Sequence, residues 1–237
     1  MKVLITGGSR GIGAECVRRF ACDGNVVSFI YNNSDDKAGE LFRETGALPI
    51  KADVADAEAL KLAISVAAKK MGGIDVLVNN AGVALIKLLG DVTDDELKRV
   101  FDVNLVAATI AAREASAYMI RNHFGRIINV GSVWGRVGAS CEVVYSASKA
   151  GLEGLTKALA KELGPSGITV NCVEPGVIDT EMNAELSEED IKTLCDETPL
   201  CRVGTTLDVA EAVLWLASER ADFITGQVLG VDGGFGI

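Results

Sequence analysis

Residues 3–13 read Val3-Leu4-Ile5-Thr6-Gly7-Gly8-Ser9-Arg10-Gly11-Ile12-Gly13, an apolar run that feeds directly into a glycine-rich turn. A short apolar run bounded by glycine predicts a buried strand, and the pattern from Gly11 onward predicts a helix. Glycine lets the backbone turn tightly and approach a phosphate, while the first N–H groups of the next helix face an anion. The spacing is G-x3-G-x-G and not the dinucleotide fingerprint G-x-G-x-x-G. A plain strand-to-helix turn would use the same glycines. The position after a first strand and before a helix instead predicts a phosphate-binding loop of Gly7, Ser9, Arg10, Gly11, Ile12 and Gly13.

The same alternation continues along the chain. Strands are expected at 3–6, 26–31, 48–51, 76–79, 126–131, 169–173 and 227–231, and helices at 11–23, 36–45, 56–71, 94–122, 144–163 and 207–218. Asp56, the capping box Thr93-x-x-Glu96, and Thr206 ahead of Leu207 and Asp208 mark helix starts; Gly72–Gly73, Gly125 and Gly164–Pro165 mark stops. Strands apolar on both faces, each followed by a helix, specify an α/β fold: one doubly wound, seven-stranded parallel sheet over residues 1–237. Residues 183–202 stand apart as acidic and polar. Their place beyond strand six, at the carboxyl edge of the sheet, favours a substrate lid over a solvated excursion.

A net charge of −10 argues against a nucleic acid or an anionic membrane surface as the partner. KVLIT at residues 2–6 already reads as a strand and leaves no room for a signal peptide, and no charge-free run approaches a membrane span. The six cysteines show no C-x-x-C pair, which predicts reduced thiols of a cytoplasmic protein, most of them small core residues. The single histidine, His123, lies in the polar turn RNHFG, so neither a zinc site nor a Ser-His-Asp mechanism is expected.

A second stretch, Ser132 to Lys149, carries the pattern S-x12-Y-x3-K. Tyr145 and Lys149 are four apart, so on a helix they share one face with Cβ atoms about 5–6 Å apart. An ammonium at that distance, in an effective dielectric of about 20, favours the phenolate by roughly 3 kcal/mol, or about two pKa units. That predicts a tyrosine tuned for general acid catalysis, with the Ser132 hydroxyl steadying charge on a carbonyl oxygen.

The end of the second strand bears on the cofactor. An NAD site usually places an acid there for the ribose hydroxyls, but this strand ends Tyr31-Asn32-Asn33-Ser34, and the first acids are Asp35 and Asp36. Arg10 is placed to pair with a 2′-phosphate. NADP(H) is therefore expected in preference to NAD(H), with Asp35 as the residue that argues against it.

With these residues assembled, the chain resembles the short-chain dehydrogenase/reductase family over essentially its whole length. The motifs are Thr6–Gly13, Asn79-Asn80-Ala81-Gly82, Asn104, Ser132, Tyr145-x3-Lys149 and Pro175-Gly176-x-Ile178-x-Thr180. Within that family it looks most like the bacterial 3-oxoacyl-(acyl-carrier-protein) reductases of fatty acid biosynthesis. The resemblance implies a Rossmann fold and a tetrad. Tyr145 would protonate the carbonyl oxygen, Ser132 would orient it, and Lys149 would lower the tyrosine pKa and bind the nicotinamide ribose. Asn104 would hold a water linking Lys149 to solvent. It further implies that Asn32, Asp53 and Val54 lie near the adenosine and that Asn80, Ala81 and Gly82 line the cofactor's other side. Pro175, Gly176, Ile178 and Thr180 would lie at the nicotinamide end. A homotetramer is implied too, through the helices carrying Asn104 and Tyr145 and through residues 226–237.

Departures from the family pattern bear on substrate. Ser166-Gly167 lacks the basic residue that many acyl-carrier reductases use to dock an acidic carrier protein, which leaves Arg121 and Arg126 as docking charges. Trp134, Cys141 and Glu142 are the candidate substrate contacts. Glu142 is either a solvated rim charge or a counter-charge for a cationic substrate group. Residues 133–145 and 171–183 also resemble reductases of a 5-aminopentanone modification on elongation factor P. The expected activity is thus reduction of a 3-oxoacyl thioester. That modified factor, an NAD-linked alcohol dehydrogenase and a non-catalytic NADP-binding sensor are the alternatives.

Overall fold

Val3 and Ile5 point to one face of the first strand and Leu4 to the other, and all three are fully buried. This two-sided burial recurs across the sheet and is why its strands read as continuous apolar runs. The computed structural model describes residues 1–181 and 187–236. Its strands are β1 (Lys2–Thr6), β2 (Val26–Tyr31), β3 (Leu48–Lys51), β4 (Val76–Asn79), β5 (Gly125–Val130), β6 (Ile168–Pro175) and β7 (Val228–Val231). They form one seven-stranded sheet in the order β3-β2-β1-β4-β5-β6-β7, parallel throughout.

Helices α1 (Gly11–Cys22), α2 (Asp35–Thr45) and α9 (Thr206–Ala217) cover one face; α3 (Ala57–Met71), α5 (Ala107–Asn122) and α7 (Val143–Leu163) cover the other. Phe20, Phe29, Leu60, Ile64 and Met119 are among the large side chains buried there, each contributing about 1.5–3 kcal/mol of apolar burial. Strand order reverses between β1 and β4, and the carboxyl ends of an open parallel sheet leave their crevice at that reversal.

Helix starts follow the capping chemistry with one shift. Asp56 accepts from the N–H groups of Glu58 and Ala59, and Thr93 forms its box with Glu96 at the start of α4 (Asp94–Phe101). The cap of α9 is Thr205, not Thr206, because Thr205 is the residue spaced to form a reciprocal box with Asp208. The helix expected over 94–122 is interrupted: α4 and α5 are joined by a π-helical turn, Asp102–Val106, that contains Asn104. Two helices were not anticipated, α6 (Val133–Val137) and α8 (Glu188–Glu197). α8 falls inside the segment expected as a lid, of which residues 183–186 lie outside the described residues, as does Ile237.

Only Cys16 and Cys172 are buried, so the cysteines are not mostly core residues; Cys22 and Cys201 are exposed. Arg126 is also corrected. It sits in β5 at 4% exposure with its guanidinium 4.5 Å over the Phe124 ring, so it is no docking charge. Arg121 is exposed. Among the described residues no helix is long and apolar enough to cross a membrane.

Candidate active site

The glycine loop is shaped by three kinds of contact. Gly7 and Gly11 adopt φ of 66° and 51°, the left-handed region that glycine enters without strain. A Cβ on Gly13 would lie 2.2 Å from the Gly7 carbonyl oxygen, so Gly13 lets α1 close against the loop. Asn80 Nδ2 donates to the carbonyls of Thr6 (3.1 Å) and Gly7 (2.9 Å), while Thr6 Oγ1 accepts from the N–H groups of Asn80 and Ala81, each at 3.1 Å. The end of β4 thus holds the loop at the end of β1. No side chain caps α1, whose N-cap is Arg10, so its first N–H groups stay available to an anion.

The loop forms one wall of a cleft of about 580 Å³. Every residue expected at the cofactor lines it except Gly13, which packs behind Gly7. Ser132, Tyr145 and Lys149 line the same cleft. A cleft lined by both a glycine cradle and a proton-donating cluster fits a dinucleotide with its reactive ring beside the tyrosine. Asp35, the residue that argued for NAD, does not line it. Its carboxylate is taken by the Tyr31 hydroxyl (3.0 Å) and by Lys51 (2.6 Å). Asp53 does line it, held by Ala55 N–H (3.0 Å) and by Arg99 (2.9 Å).

Ser132 caps α6, its Oγ accepting from Trp134 N–H at 3.2 Å. Tyr145 and Lys149 lie in α7, both buried. The tyrosine is not tuned downward in the protein alone. Burial pushes its phenol up to about 12, the Ser132 hydrogen bond opposes this, and Glu142 adds to it. The lysine fails to offset burial because it too is desolvated, which brings its ammonium down to about 8. Its Nζ lies 5.7 Å from the Tyr145 ring centroid and donates to the Val130 carbonyl at 2.8 Å. Asn104 stands behind this group. Its Oδ1 accepts from Val83 N–H (2.8 Å), and its Nδ2 donates to Val83 O and to Ser148 Oγ, each at 3.0 Å. The π turn that presents Asn104 thereby ties the strand-end segment to α7.

None of the candidate substrate residues Trp134, Cys141 and Glu142 is among the described residues lining the cleft, although Trp134 and Glu142 adjoin this cluster. Trp134 packs edge-to-face on Phe235 at 5.4 Å, and Cys141 accepts from Lys87 N–H through its carbonyl at 2.7 Å. Glu142 is half-buried at the start of α7, with its carboxyl raised above the usual range by that burial. Sequence reasoning missed Arg99, Ser148, Val83 and Glu181. Ser148 alone had a local signal, since it sits beside Lys149 and three residues after Tyr145.

Comparison with known proteins agrees with this geometry. The family model described as enoyl-(acyl carrier protein) reductase matches residues 7–236. A short-chain dehydrogenase/reductase from Serratia marcescens superposes with a TM-score of 0.93 at 40% identity, covering 99% of this chain and 97% of that one. The chain belongs to the short-chain dehydrogenase/reductase family. It is an NADP-dependent oxidoreductase acting between CH–OH and C=O. A 3-oxoacyl-[acyl-carrier-protein] reductase, MabA, of Mycobacterium tuberculosis is 40% identical over 99% of this chain and 92% of its own length. The cyclic-di-GMP-binding biofilm dispersal mediator protein of Escherichia coli is 42% identical over 99% and 96%. A metagenomic blue fluorescent protein solved in complex with NADPH matches with a TM-score of 0.93 at 41% identity, covering 100% of this chain and 98% of that one.

Proposed function

We propose that this protein reduces a 3-oxoacyl thioester to the 3-hydroxyacyl form with NADPH. The observation that carries this reading is the convergence of Ser132, Tyr145 and Lys149 on a cleft that is also lined by the glycine cradle leading into an uncapped helix start. NADPH, when bound, supplies the hydride. Tyr145 keeps its proton at neutral pH and gives it to the carbonyl oxygen as negative charge develops there. Ser132 hydrogen-bonds the same oxygen, and the Lys149 ammonium stabilises the phenolate left behind. Asn104 is the positioning group for this cluster and the anchor for a water that returns the proton. The curated relatives named 3-oxoacyl-[acyl-carrier-protein] reductase support an acyl chain carried on an acidic carrier, for which exposed Arg121 is a docking charge. Exposed Leu97, Ile120 and Val143 on α4, α5 and α7 support a homotetramer built on those helices.

A screen of NADPH oxidation with acetoacetyl thioesters and with amino-ketones, including modified elongation factor P, tests the substrate. Thioesters are expected to be turned over with the higher kcat/KM, and a strict preference for amino-ketones would reverse the assignment. One residue supports that second substrate class. Glu142 is a half-buried carboxylate three residues before Tyr145, and although it does not line the cleft it would serve as the counter-charge for a cationic substrate group. If it does, Glu142→Gln raises KM for an amino-ketone and leaves KM for a thioester unchanged; equal KM values for both proteins assign Glu142 to the rim.

Lys149 sets the pH dependence of reduction. With its ammonium at about 8, kcat is expected to hold steady below that pH and to fall above it as the positive charge is lost. A kcat–pH profile checks this, and a rate that climbs through pH 8 contradicts it.

A further inference from the structure

At the adenosine end of the cleft the cations are already paired. Arg99 is held by Asp53, and Lys51 by Asp35. Arg10 and Lys37, from the starts of α1 and α2, converge instead on one carboxylate, Glu181. Arg10 Nη1 lies 3.3 Å from Glu181 Oε2, and Lys37 Nζ pairs with Glu181 Oε1. Glu181 comes from the opposite half of the sheet, directly after Thr180, and it lines the cleft with Arg10, Asn33 and Ser34. One carboxylate therefore bridges two cations across the mouth where a 2′-phosphate would enter.

We propose that Glu181 occupies the place of the 2′-phosphate, and that NADP(H) binds by displacing its carboxylate from Arg10 and Lys37. Glu181 is on this view a specificity-determining residue that acts as an internal competitor, and Lys37 is a second phosphate-binding cation beside Arg10. The chemistry is an exchange of anions. A phosphate dianion offers two charges and three acceptor oxygens to a guanidinium and an ammonium that otherwise share one carboxylate. NADH carries no anion at this position, so it neither gains from these cations nor displaces Glu181. The three side chains are half-exposed, which makes each pair worth little and keeps the exchange reversible. The inference rests on the NADP(H) assignment.

The test is equilibrium binding without substrate, measured by titrating wild type and variants with NADPH, NADH, 2′,5′-ADP and 5′-ADP. Glu181→Gln is expected to tighten NADPH and 2′,5′-ADP by about three- to tenfold, with NADH and 5′-ADP unmoved. The gain should fade in high salt, where exposed charges are screened. Lys37→Gln should weaken NADPH alone, and in the double variant the Glu181→Gln gain should shrink, since part of it acts through Lys37. Equal shifts for NADPH and NADH, no shift for either, or strict additivity overturns the proposal. Failure of the cofactor assignment looks different: wild type itself would bind NADH as tightly as NADPH.

Discussion

Tyr145→Phe is expected to lower kcat/KM for an acetoacetyl thioester by about 10²–10⁴-fold, the usual worth of a positioned general acid. The Kd for NADPH should stay where it is. The ring lies in α7 at 8% exposure, and phenylalanine keeps its shape, so the cleft wall survives the change. What is lost is one O–H, the group that the Ser132 hydrogen bond and the Lys149 ammonium are arranged around. Because the phenol stands at about 12 in the protein alone, its proton is present at every pH of a practical assay. The loss should therefore be independent of pH below the Lys149 step. A variant that binds NADPH and reduces at the wild-type rate would show that another group protonates the carbonyl.

The second large effect lies behind the site. Glu174, in β6, is fully buried, and among the described residues neither of its carboxyl oxygens meets a hydrogen-bond donor. Arg136 Nε is 3.7 Å away, and Glu153 approaches from α7, one turn past Lys149. Burial first, then the Glu153 charge, lifts the Glu174 carboxyl from the usual 4.5 to about 7, against the pull of Arg136 and Lys157. The folded protein then binds more protons than the unfolded chain between those values. Glu174 contributes stability below pH 4.5 that is lost as pH rises through 7. Glu174→Gln, which mimics the protonated acid, should match wild type near pH 4 and exceed it at pH 8 by up to about 3 kcal/mol. Denaturant unfolding at the two pH values measures this. A variant no more stable than wild type at pH 8 would mean that Arg136 and Lys157 already compensate the charge.

The sheet was legible because its central strands are buried on both faces and because α1 follows a glycine loop while α3, α4 and α9 open with side-chain caps. Local signals of that kind decide local structure. The break at Asp102–Val106 left no mark, since a π turn needs neither glycine nor proline. Arg126 read as a surface charge because sequence shows its charge but not the Phe124 ring beneath it. The tyrosine's direction of shift was missed for a related reason. A four-residue spacing reports that Lys149 is near, but not that both groups are cut off from water. Asp35 was settled only by Lys51 and Tyr31, which arrive from neighbouring strands. At the cleft, spacing found the glycine loop and the family resemblance the rest of the lining, whereas the bonds from Asn80 to the glycine loop and the Glu181 pairs join distant parts of the chain.

The most direct test of the central claim is a single turnover: wild-type protein with stoichiometric NADPH and excess acetoacetyl thioester, following nicotinamide absorbance and thioester product together. Loss of the reduced nicotinamide signal with equimolar appearance of the 3-hydroxyacyl thioester is the predicted result. Tight NADPH binding with no oxidation, by this or any other ketone, would contradict it and leave a nucleotide-binding protein in which Tyr145 donates no proton.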